Sequence, residues 1–275
     1  MLPKPDDSLT ILHAGALRHP LRECARLFNR AHPKVDLRLE AAGSLACARR
    51  LLEGRHADIV ALADPILFEK LLVPRLVQRY FVFAIDQMVI TFDDLSRHSR
   101  YINADNWMDV LLEPEVTFGR SDHNLDPAGY RTLMLWQLAE QHYGRPGLFD
   151  RLNQKCRPEH IYAKSVDLTP AIRDGRLDYG FGYQCVARQD GLLFVRLPER
   201  INLSNPAHAD YYAQASVDID SPLTGLRTTV HGAPVEFAAG CTEQAQNREL
   251  AKAFLDLLIS RDGQKILEES GLVPY

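Results

Sequence analysis

Three short stretches set glycine, serine or aspartate where an apolar strand gives way to a helix. They are His13-Ala14-Gly15-Ala16-Leu17, Ala41-Ala42-Gly43-Ser44 and Asp126-Pro127-Ala128-Gly129-Tyr130-Arg131. A junction of this kind exposes unpaired helix N–H groups at the carboxyl end of a strand. Open α/β sheets bind ligands there, and the helix dipole favours anions. Gly15 permits close backbone approach, and Ser44 reads either as an N-cap or as a hydroxyl donor to a ligand. Asp126 reads as an N-cap, with Pro127 at the first helical position. Each stretch alone is explained by ordinary capping. Their distribution over both halves of the chain points to a bound anion.

The elements that must position these residues follow from hydrophobic spacing. Residues 8–14 alternate as a strand, and Leu17, Leu21, Cys24, Ala25 and Phe28 recur at helical spacing until Pro33. Residues 35–42 read as a half-buried strand, 44–53 as a helix, 58–63 as a buried strand and 65–77 as a helix. That is βαβαβα, the order of a parallel sheet with helices on both faces. The apolar run 81–92 is expected to be a strand crossing between two lobes. The alternation then restarts, with helices near 103–112, 127–143, 147–155 and 168–174, and strands near 116–119, 177–183 and 192–197. From 198 to 230 the pattern weakens to irregular structure with one or two strands. A strand at 235–239 and helices near 247–260 and 262–270 close the chain. Two α/β halves with a returning C-terminal segment suggest a hinge-bending binding protein. The expected boundaries are 1–85 for the first part of lobe I, 86–200 for lobe II and 201–275 for the return.

Composition narrows the class. The 275 residues are 46% hydrophobic and 25% charged with a net charge of -4, which opposes a nucleic-acid scaffold. No apolar run is long enough to span a bilayer. The start, Met1-Leu2-Pro3-Lys4-Pro5-Asp6-Asp7, lacks the apolar stretch of an intact secretory signal. It fits a cytosolic protein, or an exported one whose leader has been replaced by a starting Met. Cys24, Cys47, Cys156, Cys185 and Cys241 show no CxxC spacing, so a zinc or redox motif is not expected, and most should be small buried residues. There is no Gly-x-Ser-x-Gly elbow, P-loop, Gly-x-Gly-x-x-Gly or His-Glu-x-x-His. An enzyme assembled from scattered His, Asp and Cys stays open as an alternative, as does a cytosolic ligand sensor.

The same junctions carry a resemblance. Together with Asp58-Ile59-Val60-Ala61-Leu62-Ala63-Asp64, the run from Gly175 to Ala187, and the tail from Asn247 to Pro274, they are similar to the tungstate/molybdate-binding branch of the periplasmic molybdate-binding proteins. Asp-Pro-x-Gly-Tyr-Arg at 126–131 is the most specific piece. The resemblance implies a type II periplasmic-binding-protein fold, each lobe a mixed, mostly parallel sheet flanked by helices, with a ligand cleft between the lobes. It implies a solute-binding protein of an ABC importer, periplasmic or extracellular, monomeric, with a membrane permease as partner and no nucleic acid. No cofactor is implied; the ligand is molybdate or tungstate. Carried over by residue, Ser44 matches a serine donor, Asp126 a carboxylate and Tyr183 the tyrosine hydroxyl. The family's first serine is Ala16 here, which keeps only its backbone N–H. The second carboxylate falls at Ser165 or Asp167.

These positions decide the chemistry. A carboxylate facing a dianion is repulsive, more so away from water. Hexavalent molybdenum or tungsten can instead expand its coordination, with Asp126 and Asp167 as metal ligands in an octahedral centre. If Ser165 holds the second position, that centre loses an oxygen. Arg131 and Lys164 are expected to play structural or supporting roles, and His13 to pack near its strand end. A different anion on the same fold is the remaining alternative.

Overall fold

Short-range alternation produces β1 (Ser8–Ala14), α1 (Arg18–Ala31), β2 (Asp36–Ala42), α2 (Ser44–Leu52) and β3 (Ile59–Leu62). Residues 8–220 and 227–275 are described in this computed structural model, so the reading of residues 1–7 lies outside the described residues. The helix expected at 65–77 forms only over residues 66–72. Its π-type part, Phe68–Leu72, gives way to extended backbone at Val73 (φ -85, ψ 139). Val73 precedes Pro74, whose ring pushes it out of the helical region. β4 (Val77–Asp86) then begins, and the run 81–92 is two strands: β4 stops at Asp86 and β5 (Met88–Phe92) starts after Gln87.

The next elements are α3 (Trp107–Leu112), β6 (Phe118–Ser121), α4 (Pro127–His142), α5 (Leu148–Lys155), β7 (Ile161–Tyr162) and α6 (Leu168–Arg173). They are followed by β8 (Tyr179–Tyr183), α7 (Gln184–Gln189), β9 (Leu193–Arg196), α8 (Glu199–Asn202), α9 (Ala209–Tyr212), β10 (Ser216–Asp220) and β11 (Arg227–His231). Last come β12 (Val235–Thr242), α10 (Arg248–Ile259), α11 (Arg261–Glu269) and β13 (Val273–Pro274).

The chain divides into two units, Met1–Ile85 with Glu236–Tyr275, and Asp86–Val235. The first unit holds a six-stranded mixed sheet in the order β13-β4-β12-β3-β1-β2. There β1 is parallel to β2 and β3, while β12 runs antiparallel to β3. Its register sets His13 beside both Ala41 and Ala61, which brings the ends of three strands to one edge. The second unit holds a five-stranded sheet, β7-β6-β8-β5-β9, with β6 parallel to β7 and β8, and β5 antiparallel to β8 and β9.

Residues 201–235 were expected in the return segment, and they belong to the second unit instead. Gln137 on α4 explains part of this: its amide donates to Ser216 O (2.8 Å) and its oxygen accepts from Ser216 N (3.0 Å), which fixes the β10–β11 hairpin to that helix. Residues 221–226 of the stretch expected to be irregular lie outside the described residues.

Each unit has its own core. In the first, Phe28 of α1 meets Phe254 of α10 edge-on at 5.3 Å. In the second, Phe181 of β8 is met edge-on by Trp136 at 5.4 Å and by Trp107 and Phe118 at 6.0 Å each, a preferred aromatic geometry. α4 is buried on almost every side, as expected of a helix apolar all round. All five cysteines are free thiols, with Cys24, Cys47, Cys156 and Cys185 buried and Cys241 half-buried. Burial pushes the thiol of Cys24 up to about 12, that of Cys156 to about 11 and that of Cys185 well above its ordinary value.

Candidate functional site

In the first unit the chain leaves β1 through a 3₁₀ turn, Gly15–Leu17, in which Ala16 is buried. His13 packs at the strand end, buried, with its ring Nδ1 2.8 Å from Ala14 O. Burial lowers its pKa, so the neutral ring is favoured. Ser44 is not the N-cap of α2. Gly43 takes that position and Ser44 is the first helical residue, buried in the core. Its Oγ instead accepts from Ala63 N at 2.9 Å, tying the start of α2 to the end of β3. A hydroxyl oxygen that accepts one bond still has its O–H available as a donor. Ser44→Ala removes this buried hydrogen bond, which should lower stability by about 1 kcal/mol in urea denaturation.

In the second unit the parallel strands β6, β7 and β8 end on one edge, and a predicted site residue follows each. After β6, Asp126 is the N-cap of α4, and its Oδ1 accepts from Ala128 N at 2.9 Å with Pro127 in the first turn. After β7, Ser165 opens a 3₁₀ turn, Ser165–Asp167, and donates to Asp126 Oδ2 through its N (2.9 Å) and its Oγ (3.3 Å). Tyr183 ends β8, buried, and its hydroxyl accepts from Arg131 Nη1 at 2.8 Å. The structure therefore joins Asp126 to Ser165 and Tyr183 to Arg131. Asp167 is half-buried and takes no part in the hydrogen bonds at Asp126. Gly129 is required where α4 meets the turn after β6, since an added Cβ would lie 2.6 Å from Ser121 O.

The electrostatics centre on Arg131, itself only 1% exposed. Its guanidinium carbon lies 6.0 Å from the Tyr130 ring centre and 5.9 Å from that of Tyr183, within cation–π range. Burial pushes the Asp126 carboxyl above its usual range, while the Ser165 and Ala128 hydrogen bonds and the Arg131 charge pull it back. Arg131 acts likewise on Asp86, a second buried acid. Asp86 accepts from Gln87 N at 2.7 Å and Cys185 N at 3.2 Å, and burial still pushes it up to about 7.

Asp86 was not among the residues expected from sequence. Its signal is the single acid inside the apolar run 81–92. Ser121 was also missed: it ends β6, is fully buried, and its Oγ has no hydrogen-bond partner among the described residues. A serine directly after a strand would have been its signal. Away from the strand ends, His98, Glu113 and Glu115 bring metal-type ligand atoms within 4.8 Å of one another at the surface.

The chain as a whole is similar to known proteins. Residues 9–273 match the family model described as bacterial extracellular solute-binding protein. A relative from Petrotoga mobilis, named as a solute-binding protein, is 38% identical over 264 residues, covering 96% of this chain and 82% of its own. The molybdate/tungstate-binding protein WtpA of Pyrococcus abyssi is 35% identical over 290 residues, covering 95% of this chain and 83% of its own. The solved periplasmic molybdate-binding protein of Azotobacter vinelandii superposes with a TM-score of 0.70 at 17% identity, covering 96% of this chain and 98% of that one. The fold is thus the α/β periplasmic-binding-protein fold, with mixed sheets flanked by helices. No described helix is long and apolar enough to cross a membrane. With a single model matched from β1 to β13, this chain belongs to the family of bacterial extracellular solute-binding proteins.

Proposed function

We propose that the chain is the solute-binding component of an ABC importer and takes molybdate or tungstate as its cargo on the outer side of the membrane. The observation that carries this is one of fit. A relative at 35% identity over 95% of the chain is named for those two anions, and the strand ends of each unit present donors suited to an oxyanion. In the first unit these are the Ser44 hydroxyl and the backbone of the Gly15–Leu17 turn, with Ala16 contributing no hydroxyl. In the second it is the Tyr183 hydroxyl, whose bond from Arg131 strengthens it as a donor. Asp126 and Asp167 are the carboxylates available if the metal expands its coordination.

The oxyanion is cargo, and the role needs no resident cofactor. The reading is stoichiometric binding by a monomer that delivers to a membrane permease, not turnover. Titration calorimetry with molybdate, tungstate, sulfate and phosphate should show one site, tightest for molybdate or tungstate. At a hundredfold excess over the dissociation constant the bound anion should add about 2.7 kcal/mol to stability. Neither heat nor thermal stabilisation with both metal oxyanions would sink the assignment.

A further inference from the structure

We propose that His98, Glu113 and Glu115, at the surface of the second unit, form a solvent-open site for one divalent transition-metal ion that staples the loop after β5 to the turn between α3 and β6. The site is separate from the strand ends described above and does not depend on the oxyanion reading. One imidazole nitrogen and two carboxylate oxygens come within 4.8 Å of one another, and His98 Nε2 already lies 2.8 Å from Glu113 Oε2. Ligands about 2.0–2.2 Å from a tetrahedral zinc ion stand about 3.4 Å apart, so small side-chain rotations bring all three onto one ion. Glu113 is half-buried, His98 and Glu115 are exposed, and solvent leaves room for those rotations. A plain ion pair does not account for the cluster. One imidazolium would balance one carboxylate, and Glu115 adds a second with no ion pair of its own among the described residues. A mixed nitrogen and oxygen set suits zinc and its transition-metal neighbours, whereas magnesium and calcium take oxygen ligands.

The two segments that carry these ligands are tied to each other by a buried acid. Asp178, just before β8, accepts from Arg97 N (3.1 Å) and Arg97 Nη1 (3.0 Å) on one side. On the other it accepts from Thr117 N (2.8 Å) and Thr117 Oγ1 (2.9 Å). Arg97 directly precedes His98, and Thr117 follows Glu115 by two residues, so one carboxylate sets the spacing of both segments. The Tyr179 hydroxyl adds a bond to Arg97 O. Glu113 O accepts from Val116 N at 3.2 Å, closing a turn whose second position is Pro114, and this holds both glutamates on one short, stiff piece of backbone. The nearest basic groups are committed elsewhere: the Arg97 guanidinium pairs with Asp178, and Lys155 Nζ donates to Glu113 O and Pro114 O. Bonds of this kind behind the ligands fix their direction before the ion arrives.

The test is calorimetric titration of the full chain with zinc chloride in phosphate-free buffer, with magnesium chloride alongside and no oxyanion present. Wild type should take up one zinc ion, with a thermal midpoint that rises with zinc concentration. Magnesium at the same concentration should give no heat. Two variants read the site separately. His98→Asn suits the left-handed backbone at this position (φ 60), and Glu115→Gln alters an exposed side chain, so both should fold as wild type does. Each should lose the zinc uptake and the thermal shift. His142→Gln, an exposed histidine on α4 outside the cluster, should keep both. Absence of zinc uptake by wild type, or uptake unchanged in the His98 and Glu115 variants, would overturn the site. Magnesium binding as tight as zinc binding would overturn the transition-metal class. None of these results bears on whether the chain takes up molybdate or tungstate.

Discussion

Arg131→Met should destabilise the protein by about 3–5 kcal/mol, the range for breaking a buried charge network by removing one partner. Arg131 is 1% exposed, its guanidinium donates to Tyr183 Oη at 2.8 Å, and its charge offsets part of the upward shift of two buried acids, Asp86 and Asp126. Without it both carboxyls lose a nearby positive charge and keep only their hydrogen bonds, and the Tyr183 hydroxyl loses a charge-assisted donor. Arg131→Lys keeps the charge but not the planar fork, and should fall between wild type and Met. Urea denaturation checks this through a lower midpoint at constant slope. A loss below about 1 kcal/mol for Met would mean that the two acids are not coupled to Arg131.

Asp86 gives the second large effect, in the pH dependence of stability. Burial pushes its carboxyl up to about 7 against the hydrogen bonds from Cys185 and Gln87 and the charge of Arg131. The native chain therefore holds a proton between about pH 4 and pH 7 that the unfolded chain has released. Its stabilising contribution is complete below the unfolded value near 4 and is lost as pH rises through about 7. At 1.36 kcal/mol per unit that amounts to on the order of 4 kcal/mol. Asp126 is shifted in the same direction, whereas His13 and His123 have lowered values and lose stability as pH falls. A difference experiment separates these. The stability of Asp86→Asn minus that of wild type should rise from about pH 4 to about pH 7 and level off above it. A flat difference would show that Asp86 titrates as an ordinary carboxyl.

Local chemistry was legible in the sequence and tertiary chemistry was not. Asp126 before Pro127 announced an N-cap, because both the capping bond and the proline φ lie within one turn. Ser44 carried the same local signal and meant something else: its acceptor role is toward Ala63, across the sheet edge, which no spacing rule reaches. Which residue of the 164–167 stretch bonds to Asp126 is a matter of turn geometry, and it is Ser165. The hairpin of β10 and β11 had few apolar residues to mark its unit, since Gln137 holds it by hydrogen bonds. Both βαβ patterns were visible because apolar spacing itself builds them.

The buried thiols have a practical use. Cys24 and Cys47 lie in one unit, Cys156 and Cys185 in the other, and all four are free and buried. A reagent that attacks thiolates cannot reach them until the surrounding structure opens. The rate at which each is labelled under native conditions is therefore a clock for local opening, with two hands in each unit. The protein carries its own probes for asking whether its halves unfold together or in turn.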